Sequence, residues 1–512
     1  MHEMSVAMAL VESVLESIKK MKSPQVEEII LEVGELAFIS PRQLEFAFEL
    51  AKKDKKPLKD AKLTLQRSKA TVCCPKCGHR GGIEEVADHK KAEAHRVLIS
   101  FECPDCKETM KIESGREMII KRVIVEVADD TGLDIKPSKG KPKPKSKPVS
   151  MEAFRLRDEP LARKVLEKIK AFDLKLRFMH VCGTHQDTLV KYGLEGLLLR
   201  SGIEIRQGPG CPVCVTTQKE IEEALLLAKK GKTIAVFGDM ARVRGKSGSL
   251  DDMRAQSCKI KVVYGISDAV KLALEDPAHD VVFMGIGFET TTPSVASVML
   301  QDPPENFSVL SCHRTVPPAL KALVEMGEVR LDGLIEPGHV SVIIGTKPYE
   351  FLSKKYKVPQ VIAGFEPLDL LMAIFMLARQ VHNGVAKVEN EYSRVVKPEG
   401  NPKALKMMAQ VFEPCDVQWR GFPIIPGSGL KFRKAFHAHD ARIVHEDALK
   451  ELEGVKFPEP KGCKCPQVLR GLITSDKCPL FGKKCTPKTP VGPCMVSVEG
   501  SCNILYKYGK PQ

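Results

Sequence analysis

Leu176-Arg177-Phe178-Met179-His180-Val181 runs straight into Cys182-Gly183-Thr184-His185, so that an apolar-rich stretch stops at a turn carrying a thiol and an imidazole. The same rhythm returns downstream. Thr233–Phe237 precedes Gly238-Asp239-Met240, and Asp280–Met284 precedes Gly285, with Gly287-Phe288-Glu289-Thr290-Thr291-Thr292-Pro293 following. Val340–Ile344 and Gln360–Ala363 read as further strands, the second ahead of Gly364-Phe365-Glu366-Pro367. Helical patterns lie between these runs. Such alternation implies an α/β module with parallel sheets, whose functional groups gather at the carboxyl ends of the strands.

Upstream the pattern changes. Met4, Met8, Val11, Leu15 and Ile18 form one apolar stripe at helical spacing, and Glu28–Val33 reads as a strand. Ser40, Pro41 and Gln43 supply an N-cap, a first-turn proline and a capping-box partner for a second helix. Lys62–Gln66 and Met118–Val127 read as strands, giving a small α+β module interrupted by a cysteine-bearing insertion. The run KPSKGKPKPKSKP at 136–148 has no apolar periodicity and should stay extended and solvated. The expected organisation is an α+β module over 1–130, a Lys/Pro-rich linker over 131–150, an α/β core over 151–455 and a cysteine-rich region over 456–512.

The chain has 512 residues with 79 Lys and Arg against 65 Asp and Glu, a net charge of +14. Six of the lysines sit between Lys136 and Lys147, and aromatic content is only 5%, so the charge reads as a solvated linker plus a mildly basic surface. No nucleic-acid partner is expected. No stretch reaches the ~18 to 20 apolar residues of a membrane span, and Met1-His2-Glu3-Met4 lacks a secretory layout, so a cytoplasmic location is expected. No Walker motif or dinucleotide fingerprint is present.

Seventeen cysteines remain to be explained, and fourteen fall into three clusters; Cys258, Cys312 and Cys415 stand alone and read as buried packing residues. In the first cluster, Cys74-Pro75-Lys76-Cys77 and Cys103-Pro104-Asp105-Cys106 are two C-x-x-C knuckles. Two such pairs offer four thiolates in a tetrahedron, which suits structural Zn²⁺, with iron or disulfides as alternatives. Cys73 reads as a bystander, and His79, His89 and His95 as solvated surface.

The second cluster is Cys182-Gly183-Thr184-His185 together with Gly208-Pro209-Gly210-Cys211-Pro212-Val213-Cys214, each following a strand and opening a helix. Thiols at helix amino termini feel the positive dipole end, which favours thiolate. Three of them at strand ends could ligate a soft metal or cycle between dithiol and disulfide. The third cluster is Cys463, Cys465, Cys478, Cys485, Cys494 and Cys502, set among Pro and Gly in a loop-rich cage. A [4Fe–4S] cluster needs four thiolates, with zinc the alternative metal; spacing alone does not choose which four.

Two resemblances organise these clusters. The Met1-His2-Glu3-Met4-Ser5 start, the Val33-Gly34-Glu35-Leu36 turn and the two knuckles resemble the HypA family over residues 1 to about 128. That resemblance implies transient Ni²⁺ binding by the amino-terminal segment, through His2 with Glu3 in support; a terminal amine, backbone amides and an imidazole make a nitrogen-rich site. The loop from Gly78 to Phe101 is longer than the family's commonest pattern. The second cluster, with GFETTTP (287–293), VPP (316–318), PGHVS (337–341), GFEPLD (364–369) and WRG (419–421), resembles the HypD family over 154–508.

The HypD resemblance implies that iron is held while two cyanides and one CO are attached, with Cys182 the principal ligand and His185 assisting. Cys211 and Cys214 would be a redox-active pair. It favours Cys463, Cys478, Cys485 and Cys502 as ligands of the [4Fe–4S] cluster, leaving Cys465 and Cys494 as a relay. The implied partners are a HypC-like chaperone, a HypE-like cyanide donor, a HypB-like GTPase and a [NiFe]-hydrogenase large-subunit precursor. The expected function is [NiFe]-hydrogenase maturation, against a stand-alone iron–sulfur protein-disulfide reductase or a passive metal store.

Overall fold

In the computed structural model residues 159–509 are described without a break; before them, residues 7, 10–11, 13–15, 17–19, 24–34, 41–52, 55–74, 76–82, 103–106, 111–114 and 118–126 are described. His2, Glu3, His89, His95 and the 131–150 linker lie outside the described residues. Contacts divide the chain into two compact units, Met1–Arg155 and Leu156–Gln512.

In the first unit, strand β1 (Gln25–Gly34) is central, parallel to β2 (Lys62–Ser68) and antiparallel to β6 (Met118–Glu126). Alternation along β1 buries Val26, Ile29, Leu31 and Val33 in one core with Leu44 and Phe48 of helix Pro41–Lys52. From the amino-terminal helical residues the same core takes Ala7, Leu10, Val11, Val14 and Ile18. Val14 is thus the buried residue, while Leu15 is only half-buried. A second antiparallel sheet sets β3 (Thr71–Cys73) between β4 (Arg80–Gly82) and β5 (Lys111–Ser114).

The second unit is α/β, with two fully parallel sheets. The larger has the order β15 (Val388–Asn390), β14 (Gln360–Ala363), β13 (Gly333–Pro337), β7 (Leu176–His180), β8 (Ile203–Gln207). The other runs β10 (Ile260–Val262), β9 (Thr233–Val236), β11 (Val281–Gly287), β12 (Phe307–His313). Every residue of β11 and β12 is buried, as expected of parallel strands covered on both faces. An antiparallel hairpin, β16 (Phe412–Gln418) and β17 (Ile424–Phe432), completes the strands.

Alternation along the strands divides the interior. Leu334 and Ile362 of the larger sheet share one core with Ile234, Val236, Val282 and Met284 of the other, so the inner faces of the two sheets meet. Ile335 and Val361 turn the opposite way, onto helix Pro367–His382. The cysteine-rich carboxyl end contributes Cys465, Leu469, Cys485, Cys494, Met495 and Cys502 to the shared inner core.

Val340–Ile344 does not form the expected strand. Pro337 ends β13, and Gly338–Ile344 is a helix. The Ser341 hydroxyl donates to the Pro337 carbonyl at 2.9 Å, and Val340 and Ile344, one helical turn apart, both enter the inner core. Burial on helical spacing outweighs the β-branched preference of the run.

Candidate functional site

The thiols of the second cluster stand just past neighbouring strands. β7 pairs with β8 in parallel register up to His180 opposite Gln207, so the turns that follow, at Cys182 and at Gly208–Cys211, emerge side by side. Gly208 N–H donates to the His180 carbonyl at 2.8 Å and Gly183 N–H to the Gly210 carbonyl at 3.3 Å. Cys182 caps helix Gly183–Lys191; Cys211 caps the turn Pro212–Val215, its sulfur accepting the Cys214 N–H at 3.2 Å. Cys211 and Cys214 are joined as a disulfide, and both are fully buried.

This turn is firmly held. Thr217 and Glu220 form a capping box for helix Gln218–Lys229. Glu220 also accepts from the Arg314 guanidinium at 2.6 Å, and that guanidinium donates to the Cys312 and Gln418 carbonyls. Burial opposes the Glu220 carboxylate, but Arg314 and Arg442 hold its pKa below the usual range. Arg420 donates to the Thr216 carbonyl at 2.9 Å, so two buried arginines clamp the segment behind the disulfide. Cys312 is buried, whereas Cys258 and Cys415 are only half-buried.

His185 projects from the first helix turn onto the end of β14. Its Nε2 lies 3.3 Å from the Ala363 carbonyl and 3.0 Å from the Gly364 carbonyl, so Nε2 carries the proton. Nδ1 is left buried with a lone pair and no partner. Burial, with His180 adding, lowers the imidazole to about 3. His180 bonds Gln186 at 2.7 Å and is lowered to about 4 by burial. Both rings are neutral at physiological pH. A neutral imidazole with a free ring nitrogen is a metal-ligand type of group.

Cys182 departs from the helix-dipole expectation. Burial pushes its thiol up to about 11, with the Glu499 carboxylate adding, although the Thr184 and His185 N–H groups pull the other way. Only a strongly attracting centre, such as a bound cation, would deprotonate it at neutral pH. Glu499 backs this turn closely: a β-carbon on Gly183 would stand 2.6 Å from that of Glu499.

Three further acid or hydroxyl groups of the inner core were given no role by the sequence. Glu336, in β13, is fully buried and neither carboxylate oxygen has a partner; burial pushes it up to about 8. Glu289 accepts from the Val316 N–H at 2.9 Å with its other oxygen unpartnered, and burial raises it to about 7. Tyr349 bonds Ser341 at 3.1 Å and feels Glu336, Glu289 and Cys182. A glutamate inside the apolar run Leu334-Ile335-Glu336-Pro337 was the available signal. For Glu499 there was none, since only the tertiary fold carries it to Cys182.

At the carboxyl end, Cys463, Cys465, Cys478, Cys485 and Cys502 line one small pocket with Leu480, Phe481 and Met495. Cys494 does not line it, but the neighbouring Cys465 raises its thiol. Cys465 is likewise the first cause raising Cys463, so it stands between the two. A β-carbon on Gly492 would strike the Cys463 and Cys465 sulfurs at 2.5 and 2.6 Å. The Val491 N–H donates to Cys485 Sγ at 3.3 Å.

In the first unit the four knuckle cysteines converge. Cys74 and Cys106 sulfurs lie 3.4 Å apart, Cys77 and Cys103 3.4 Å, Cys77 and Cys106 3.6 Å. A tetrahedral site with Zn–S near 2.3 Å has edges of about 3.8 Å. Gly78, at φ +77°, supplies the left-handed step after the first knuckle. His79 pairs with Asp105 at 2.8 Å, linking one knuckle to the other, and Cys73 lies outside the group. Among the described residues, only these four bring three or more metal-ligand atoms within 4.8 Å of one another.

The family model described as "HypD: Hydrogenase formation hypA family" matches residues 160–509. The chain belongs to the HypD family. A hydrogenase expression/formation protein of Methanocaldococcus jannaschii is 48% identical over 359 residues, covering 69% of this chain and 98% of its own. The hydrogenase maturation factor HypD of Rhodobacter capsulatus is 41% identical over 377 residues, covering 70% and 98%. Residues 1–125 match the model "HypA: Hydrogenase/urease nickel incorporation, metallochaperone, hypA". The solution structure of the Ni metallochaperone HypA from Helicobacter pylori aligns at 23% identity and TM-score 0.18, over 24% of this chain and 96% of that one.

The chain therefore joins a HypA-family segment to a HypD-family segment, and the process it serves is hydrogenase maturation. The second and third cysteine clusters lie inside the HypD match and the knuckles inside the HypA match. No comparison favours a stand-alone disulfide reductase. Among the described residues no helix is long and apolar enough to cross a membrane.

Proposed function

We propose that the HypD-family unit is the scaffold on which iron receives two cyanides and one CO. Cys182, as thiolate, is the principal ligand for the iron, which is cargo, and the free Nδ1 of His185 assists. Cys211 and Cys214 exchange disulfide for dithiol beside it. The observation that carries this reading is the adjacency of the Cys182 turn and the Cys211–Cys214 disulfide past two paired parallel strands, with His185 on the same helix. Burial of all three sulfurs excludes water from cargo and disulfide alike.

The carboxyl-terminal pocket suits a [4Fe–4S] cluster held by Cys463, Cys478, Cys485 and Cys502. Its apolar lining, the thiols facing it and the Val491 N–H aimed at Cys485 Sγ support this. The sulfurs are not drawn together as the knuckle cysteines are, which favours a polynuclear cluster over one zinc ion. Such a cluster supplies one-electron transfer when bound. Cys465 and Cys494, close enough for one thiol to raise the other, form the thiol relay.

In the first unit Cys74, Cys77, Cys103 and Cys106 hold structural zinc, supported by sulfur separations near those of a thiolate tetrahedron. His2, with Glu3, binds nickel in transit. The partners are a HypC-like chaperone, a HypE-like cyanide donor, a HypB-like GTPase and the [NiFe]-hydrogenase large-subunit precursor, in the cytoplasm. The test is whether iron bearing cyanide and CO accumulates on the chain only when Cys182 is present.

A further inference from the structure

The segment that carries most of the pocket cysteines is rich in cations. From Lys456 to Lys488 the chain carries eight Lys and Arg against two Asp and Glu. Both acids are engaged: Glu459 with the Arg420 guanidinium, and Asp476 with Lys477 at 3.1 Å. Lys461 and Lys464 flank Cys463, and Lys483 and Lys484 precede Cys485; Lys461, Lys483, Lys484 and Lys488 are exposed. A solvated segment of an ordinary protein mixes signs, whereas this one is mostly of one sign, with Arg470 paired to Glu328 and the exposed lysines left beside the thiols.

Beside the pocket lies an open groove walled by Arg244, Lys246, Val491, Pro458, Pro460 and Pro490, and by Glu459, whose carboxylate is taken up by the Arg420 guanidinium. Val491 of this wall donates its N–H to the sulfur of Cys485, which lines the pocket. Gln218 lines the groove as well; it is 5% exposed, and its Oε1 has no partner. A buried acceptor without a donor is costly, and here it faces a groove from which a partner could supply an N–H.

We propose that this groove and its lysine collar are the docking surface for an acidic protein that carries single electrons. This rests on the reading of the pocket as an iron–sulfur site. Positive potential focused at the collar steers an acidic carrier, and the prolines give the groove a stiff wall. Docking there brings the carrier to the backbone that contacts Cys485. The electrons are consumed at the disulfide: two carriers each lose one electron, two protons come from solvent, the Cys211–Cys214 bond breaks and two thiols form.

The test is titration of the full chain with an acidic [2Fe–2S] ferredoxin at low and high salt, beside a variant carrying Lys461→Glu, Lys483→Glu and Lys484→Glu. All three positions are exposed, so the fold should be kept. The expected result is saturable binding that salt weakens, with Kd raised about tenfold or more in the variant. Equal binding by the variant, or equal affinity for a duplex oligonucleotide, overturns the proposal. The iron–sulfur absorption of the anaerobically purified chain reports on the cluster separately: its absence would contradict the cluster reading, while the binding comparison would still decide the docking surface.

Discussion

Gly210 lies against the backbone of Cys182: a β-carbon on Gly210 would stand 2.2 Å from the Cys182 nitrogen and 2.1 Å from the Val181 carbonyl carbon. The two turns that carry the site thiols touch main chain to main chain, and only a missing side chain permits it. The backbone, rather than a flexible side chain, would have to yield to any substitution there.

Gly210→Ala should therefore destabilise the second unit by at least about 2 kcal/mol, in the range of overpacked interiors. Gly196→Ala is the control, since only the Arg200 guanidinium comes within 4 Å of its β-carbon, at 3.9 Å. It lies in helix Leu194–Arg200 and should be neutral or slightly stabilising. Thermal denaturation of the two variants checks this. Equal melting temperatures would contradict the close approach.

Glu336 makes stability depend on pH in a definite direction. Burial raises its pKa from 4.5 to about 8. A raised carboxyl pKa means that its contribution to stability is complete below the ordinary value and is lost as pH rises through about 8. Wild-type protein should accordingly lose a few kcal/mol on that account between about pH 5 and pH 9, and Glu336→Gln should not. The variant's melting temperature relative to wild type should climb with pH. A difference that stays flat across the range would show that the Glu336 carboxylate finds a partner in solution.

Much of this was legible in the sequence, and for identifiable reasons. Strands β7, β9, β11 and β14 announced themselves as apolar runs ending in Gly or Cys turns, because parallel strands are buried on both faces. The Thr217–Glu220 capping box depends on local spacing alone, a threonine three residues ahead of a glutamate. Helix Gly338–Ile344 was not legible, since its β-branched residues mimic a strand and only packing against the inner core decides otherwise. The Cys182 thiol went the other way from the dipole argument because burial, a tertiary property, outweighs it. Glu499 and Arg314 act on the site from distant parts of the chain, and no local pattern marks either of them.

The knuckle cysteines give a sharp contrast between neighbours. Cys103→Ser should abolish bound zinc, because it breaks a four-sulfur set whose members lie within 4.8 Å of one another. Cys73→Ser should keep it, since Cys73 lies outside that set and its Sγ donates to the Cys74 carbonyl at 3.7 Å. Metal content of the purified variants measured by mass spectrometry separates them. Zinc lost from the Cys73 variant, or kept in the Cys103 variant, would mean a different ligand set.

The central claim is that Cys182 holds the iron on which cyanide and CO are assembled. Infrared spectroscopy tests it most directly, on chain purified anaerobically after co-expression with HypC- and HypE-like partners, beside Cys182→Ala. The account predicts cyanide and CO stretching bands in the wild-type protein and none in the variant, with iron–sulfur absorption equal in both. Bands of equal strength in the Cys182→Ala protein, or none in wild-type protein with its iron–sulfur absorption intact, would contradict it.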